Sequence, residues 1–176
     1  MAEVELVPTD REHIAAIQRL AGHPGIAAMT PIPYPYPEGA AQRFVENVVL
    51  PARAAGTAYG FAIMAEGEMV GHIGLKHVDR AQGEAELGYW IGRPFWSRGY
   101  ASAAGREALA FAFGALGLTR IYAHVLAHNP ASARVLEKLG FAAVELPPEA
   151  TPCACASKGE TLGYALHRDA WKASGG

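Results

Sequence analysis

Cysteine is nearly missing from this chain: two of 176 residues, Cys153 and Cys155, stand one residue apart. That spacing strains a direct disulfide and falls short of a four-ligand zinc set. They read as reduced thiols, which predicts a reducing, cytoplasmic location. Charge is scarce too, with 18% Asp, Glu, Lys and Arg and a formal net charge of −2. A nucleic-acid binder carries a basic stripe or an extreme pI; with neither here, no nucleic-acid partner is expected, and any polyanion has to be held locally. No uninterrupted apolar run reaches the about 18 residues of a membrane span. The opening MAEVELVPTDREH lacks the basic head and apolar stretch of a signal peptide, so no membrane partner is expected either. The nucleotide loops G-x-G-x-x-G and G-x-x-x-x-G-K-[ST] do not occur. Seven histidines are present, but His72 and His77 fall on opposite faces of one strand by period-2 counting, and His124 and His128 straddle a strand end with no third ligand in sequence. No metal is predicted.

What remains is apolar: 51% of the residues are hydrophobic, and the length suits one domain, residues 1–176, with a well-covered core. Val4 to Val7 is a short strand candidate, and Thr9 to Glu12 matches a capping box with Thr9 as the cap. Ile14, Ile17 and Ala21 then share a helical face. Between Met29 and Pro37 alternate prolines forbid an ordinary helix, so the segment is an extended loop. It is either a stiff connector or an aromatic wall beside a substrate, supplied by Tyr34 and Tyr36. Phe44, Val45, Val48 and Val49 return to helical spacing in a segment from Glu38 to Arg53, closed by Pro51 and Gly56. Three strands follow, from Tyr59, from Met69 to Val78 and from Glu84 to Ile91, as an antiparallel meander.

Past Ile91 the pattern changes. Ala101 to Leu116 is an alanine-rich helix, Arg120 to Ala127 a strand, and Ser132, Val135, Leu136 and Leu139 mark a second amphipathic helix ended by Gly140. The centre thus reads β-β-β-α-β-α. A strand, a helix and another strand in succession predict a parallel pair formed by 84–91 and 120–127. Glu160 to Leu166 returns as a last strand. The expected fold is α/β, a central mixed, twisted sheet of six to seven strands flanked by helices.

The junction Trp96-Ser97-Arg98-Gly99-Tyr100-Ala101-Ser102 has a distinct physical character. A glycine lets backbone approach a ligand, and the first turn of the following helix carries amides without intrahelical partners. With the helix dipole these form an anion site worth up to about 1–2 kcal/mol per charge. Arg98 adds a fork for a phosphate oxygen, and Arg93 and Arg106 are near enough in sequence to enlarge the patch.

The segment AELGYWIGRPFWSRGYASAAGREAL, followed after a strand by HNPASARVLEKLGF, resembles the GNAT acetyltransferases, and most closely their branch of ribosomal-protein N-terminal acetyltransferases. The resemblance covers residues 84 to 141. It implies transfer of an acetyl group from acetyl-coenzyme A to a primary amine. In the family pattern a Gln or Arg, two variable residues, Gly, one variable residue and Gly or Ala hold the coenzyme A pyrophosphate. Trp96 takes the place of the Gln or Arg, Gly99 is kept, and Ala101 ends the motif. Tyr100, Ala101 and Ser102 open the binding helix, and the pantetheine arm pairs with the backbone of Trp90 and Ile91. Asn129-Pro130-Ala131-Ser132 matches the family's Asn, two variable residues, Ala or Ser, with Arg134 as a further cofactor contact on the same helix.

Many relatives carry a leaving-group tyrosine seven residues after the Asn; this chain has Leu136 there, so Ser132 becomes the candidate acid. Glu86 occupies the position of the family's general base, with Glu84 its competitor at the strand edge. Its apolar sequence neighbours, Ala85, Leu87, Tyr89 and Trp90, predict a raised pKa. A backbone amide near Tyr89 to Ile91, where the parallel strands part, is the expected oxyanion donor, and His72 is a candidate lining residue of the acceptor cleft. Deprotonating a peptide α-amine of pKa about 8 costs about 1.4 kcal/mol at pH 7, against about 4.6 for a lysine amine, so a weak base suffices for α-amines. The acceptor is expected to be a peptide or protein α-amine or, alternatively, a small amine such as a polyamine, an amino acid or an antibiotic. A homodimer and a non-catalytic coenzyme A-binding module are the other expectations.

Overall fold

The computed structural model describes residues 2–146 and 156–176. The reading of Cys153 and Cys155 lies outside the described residues.

Among the described residues, seven strands form one sheet in the order β1-β2-β3-β4-β5-β7-β6. They are β1 (Glu5–Pro8), β2 (Tyr59–Ala65), β3 (Glu68–Asp79), β4 (Glu84–Ile91), β5 (Arg120–Leu126), β6 (Ala142–Val144) and β7 (Thr161–His167). β4 and β5 are parallel, as the sequence order predicts, and every other neighbouring pair is antiparallel. On one face Phe61, Ile73, Leu87, Tyr89 and Ile121 alternate inward. They meet α5 (Tyr100–Phe113), whose Leu109 and Ala112 are fully buried and whose Phe111 ring lies edge-on to Phe61 at 5.2 Å. The opposite face carries α1 (Ile14–Leu20), α2 (Pro24–Met29), α3 (Ala40–Phe44) and α4 (Leu50–Ala55). α6 (Pro130–Lys138) follows β5, and α7 (Arg168–Ala173) closes the described chain. Among the described residues, no helix is long and apolar enough to cross a membrane.

Two local readings change. The first cap is Asp10, not Thr9: Asp10 accepts from Arg11 N–H at 2.7 Å, and the His13 ring accepts from Asp10 N–H at 3.0 Å. Thr9 is fully buried and leaves its hydroxyl without a partner. Pro51 does not end its helix. A π-helical turn, Val45–Val49, precedes it and the helix continues to Ala55. A proline ring collides with the carbonyl four residues back, and the wider π turn relieves that crowding. The same turn brings Phe44, Val48 and Val49 to the central cleft.

Candidate active site

β4 and β5 pair only at Glu84, Ala85 and Glu86, opposite Arg120, Ile121 and Tyr122. Beyond Glu86 the strands part, and a cleft of about 900 Å³ opens between them. Its walls are the Trp96–Ser102 loop, the start of α6 and the helices of the amino-terminal third. The strand edge at Leu87 to Ile91 therefore presents backbone groups that β5 does not occupy.

Glu86 sits at the point of divergence, 5% exposed. His124 Nδ1, from β5, lies 3.1 Å from one carboxylate oxygen, and Lys76 Nζ 3.6 Å from the same oxygen. His77 Nε2 is 3.6 Å from the other. The expected upward pKa is corrected here. Burial pushes the carboxyl up, but the His124 bond and the charges of Lys76, His124 and His77 outweigh it, and the net shift is downward. The reason is strand geometry. Residues adjacent in sequence point to opposite faces, so Ala85, Leu87 and Tyr89 are not the neighbours of Glu86; the cross-strand residues are. His77 reaches it because the register slips between Lys76 and Asp79 and His77 adopts φ +50°, which defeats period-2 counting. The lowered pKa keeps Glu86 an anion near neutral pH, so in the 3.1 Å contact its carboxylate accepts from His124 Nδ1.

Tyr89 points to the other face and crosses the cleft to α6. Its hydroxyl is 2.7 Å from Ser132 Oγ and donates to the Ser132 carbonyl at 3.3 Å. Burial pushes the phenol up to about 12, against the opposing bond to Ser132, so it stays protonated. Asn129 caps α6 by accepting from Ser132 N–H at 3.2 Å. One short segment thus fixes both the helix start and the hydroxyl pair.

The Trp96–Ser102 loop has the backbone that an anion site requires. Ser97 and Gly99 are left-handed, φ +63° and +82°, and Ala103 is the residue whose N–H bonds back to Gly99, at 3.1 Å. The amides of Tyr100, Ala101 and Ser102 have no carbonyl one turn back and open into the cleft. A Cβ on Gly99 meets only Ala2, at 3.6 Å. A fourteen-residue helix, α5, stands behind these amides, an arrangement that fits a pyrophosphate.

A model of the acetyltransferase (GNAT) domain matches residues 3–142. The chain belongs to the GNAT acetyltransferase family. Aspergillus fumigatus FsC-acetyl coenzyme A-N(2)-transacetylase is 30% identical over 97% of this chain and 76% of that protein. N-acetyltransferases of Bacillus licheniformis and Bacillus subtilis reach 38% and 40% identity over 74 residues, a match that covers 42% of this chain and 42% of each of those proteins. Mycobacterium smegmatis RimJ, solved with a coenzyme A disulfide, superposes with a TM-score of 0.80 at 25% identity, covering 98% of this chain and 89% of that one. A Vibrio cholerae spermidine N-acetyltransferase, solved with coenzyme A and spermine, gives 0.79 at 18% identity over 96% and 98% of the two chains, a likeness of fold. This GNAT protein is an N-acetyltransferase.

Within the GNAT frame the departure at Trp96 has a structural role. Its indole N–H donates to the Ile91 carbonyl at 2.7 Å, tying the loop to the end of β4, while Arg93 lies over its ring at 4.7 Å. Arg98 is exposed on the loop, over the Phe95 ring at 5.6 Å. Two expected contacts fall elsewhere. Arg134 is exposed and does not line the cleft, because two residues on from Ser132 is about 200° around the helix. Tyr34 is 59% exposed and outside the cleft; a bend at Tyr34 and Pro35 separates it from Tyr36, which lines the cavity. Tyr89 and His124 were missed by the sequence reading. Their partners are 43 and 38 residues away, and no local pattern signals them.

Buried His72 lies between two half-buried rings, with Phe44 edge-on to it at 5.4 Å and Trp90 stacked on it at 6.4 Å. Burial, and then the proximity of His13, pushes the His72 pKa down to about 4 from 6.5. The folded state keeps this ring neutral, whereas the unfolded chain takes up a proton as pH falls below about 6.5. Stability contributed here is complete above that value and declines toward pH 4, by about 2 kcal/mol between pH 7 and pH 5. Urea unfolding at those two values should therefore show a smaller loss for His72→Phe than for the wild type. Equal losses in both would mean that His72 is not the group responsible.

Proposed function

We propose that this GNAT protein uses acetyl-coenzyme A to acetylate a primary amine, with His124 held by Glu86 as the base. The observation that carries the reading is the parting of β4 and β5 at Glu86, which sets a carboxylate–imidazole pair at the head of a cleft whose far wall is the anion-binding loop. Acetyl-coenzyme A, when bound, supplies the activated acetyl group. Tyr100, Ala101 and Ser102 amides, with Arg98, hold its pyrophosphate, and the β4 edge that β5 leaves uncovered at Trp90 and Ile91 receives its pantetheine arm, beside the Ile91 carbonyl that accepts from the Trp96 indole. Nε2 of His124 takes the proton that the amine nitrogen loses as its bond to the acetyl carbon forms. Ser132, backed by the protonated Tyr89 phenol, returns a proton to the departing sulfur. Such a base suffices for an amine of modest basicity, including a peptide α-amine, and a small-molecule amine meets the same chemistry.

Calorimetry should show acetyl-coenzyme A binding, with no comparable binding of ATP or NAD, and a thiol-release assay over a panel of amines should show turnover. Binding of a nucleotide in place of acetyl-coenzyme A would sink the reading.

A further inference from the structure

The chain holds four lysines, Lys76, Lys138, Lys158 and Lys172. Among the described residues lining the cleft, Lys76 is the one lysine. It stands opposite Glu86 in the β3–β4 register, so the two side chains share a face. Its stem does not run straight out into solvent but folds over Gly88, where a Cβ would stand 3.2 Å from Lys76 Cε and 3.4 Å from Nζ. The missing side chain at Gly88 is what gives the ammonium its place. The side chain stays 46% exposed, and Nζ is 3.6 Å from Glu86 Oε1. His124 Nδ1 meets that same oxygen at 3.1 Å. A primary amine of the protein therefore stands beside the pair toward which the proposed reaction directs an amine.

The position along β4 matters as much as the partner. β5 leaves β4 after Glu86, and Gly88 is on the uncovered stretch between Glu86 and the Trp90–Ile91 edge that receives the pantetheine arm. That stretch is where a donor thioester has to stand for His124 to act on the attacking amine, and Lys76 Nζ lies over it. The other lysines are placed differently. Lys158 donates to the carbonyls of Ala27 and Ile32, while Lys138 and Lys172 are exposed in the last turns of α6 and α7.

We propose that Lys76 is itself an acetylation site, modified within one molecule by acetyl-coenzyme A bound in the cleft. This rests on the proposed acetyl transfer and adds an acceptor that belongs to the chain. The ammonium first releases one proton to solvent, since only the free amine has a lone pair. The lone pair on Nζ then forms the amide bond to the acetyl carbon as the carbon–sulfur bond breaks. A second proton passes from Nζ to His124, and the departing sulfur takes one from Ser132, so the products are acetyl-lysine, coenzyme A thiol and one released proton. Acetylation removes the positive charge beside Glu86 and adds bulk over Gly88. The modified protein is therefore blocked at its acceptor end.

The test is peptide mapping by mass spectrometry after incubation with acetyl-coenzyme A alone at mildly alkaline pH. Thioesters acetylate exposed lysines without an enzyme, so Lys138, Lys158 and Lys172 are internal controls. Lys76 should be labelled at least roughly tenfold faster than each of them, the advantage of an amine held next to its reaction partner. Its rate constant should not depend on protein concentration, and saturating free coenzyme A should slow labelling of Lys76 alone. His124→Gln should lower the Lys76 rate by about 10²-fold or more and leave the other three unchanged; the coenzyme A competition needs no variant, so a misfolded variant could not hide the result. Protein labelled at Lys76 should lose most of its kcat/KM for any external amine it turns over. Lys76 labelled no faster than the controls, labelling that speeds up with protein concentration or persists under saturating coenzyme A, or full activity in the labelled protein overturns the proposal. Unlabelled Lys76 in a protein that binds acetyl-coenzyme A and acetylates an external amine sinks this proposal alone. Failure to bind acetyl-coenzyme A in calorimetry sinks the proposed transfer and self-acetylation together.

Discussion

His124→Gln should lower kcat by about 10²-fold to 10⁴-fold, the usual contribution of a positioned general base, and leave acetyl-coenzyme A affinity nearly unchanged. Glutamine keeps the size and a donor toward Glu86 but has no lone-pair nitrogen to take a proton. Imidazole has one, and the 3.1 Å bond from Nδ1 to the Glu86 carboxylate determines which nitrogen it is. Glu86→Gln removes the anion that orients and polarises this ring, and also releases Lys76 and His77 from their shared partner. Its effect on kcat should approach that of His124→Gln, and the double substitution should be little worse than either alone, because groups that act as a unit are not additive. Since Glu86 titrates below the usual carboxylate range, an activity loss centred near neutral pH belongs to another group. Wild-type kcat in His124→Gln, measured by single-turnover acetylation so that product release does not mask chemistry, would return the base to Glu86 or to water.

That assignment also marks where sequence reasoning reached its limit. β4 is legible to the residue, Glu84–Ile91, because a meander of alternating residues ends at a change of grammar that is itself visible. The loop-to-helix junction at Gly99 is also legible, although a lone glycine before a helix is a weak signal and its reading as an anion site comes from the pairing with Asn129 and Ser132. Both are local in the chain. The environment of Glu86 is not: Lys76 and His77 come from the neighbouring antiparallel strand, His124 from the parallel one, and their approach depends on register and on one bulge. A count of flanking residues predicted an apolar pocket, whereas the folded carboxylate is surrounded by a lysine ammonium and two imidazoles. β6, α2 and α7 were passed over because three to six residues carry too little periodicity to stand out.

Gly99→Val should weaken acetyl-coenzyme A binding by roughly thirtyfold, about 2 kcal/mol, with a smaller effect on kcat at saturating donor. Gly99 has φ +82° and caps α5, a conformation that a β-branched residue avoids. Adopting a negative φ would swing the Tyr100, Ala101 and Ser102 amides away from one another, and their convergence is what an anion detects. A methyl alone has space, since only Ala2 is within 4 Å, so the defect comes from backbone direction and not from a clash with protein. Gly99→Ala should accordingly show a milder version of the same loss. Arg98→Ala, which removes an exposed charge and leaves the amides in place, should cost less than Gly99→Val and lose its effect in high salt, because exposed charges are screened. If Arg98→Ala proves the more damaging of the two, the loop binds its anion through the guanidinium and the helix amides are secondary.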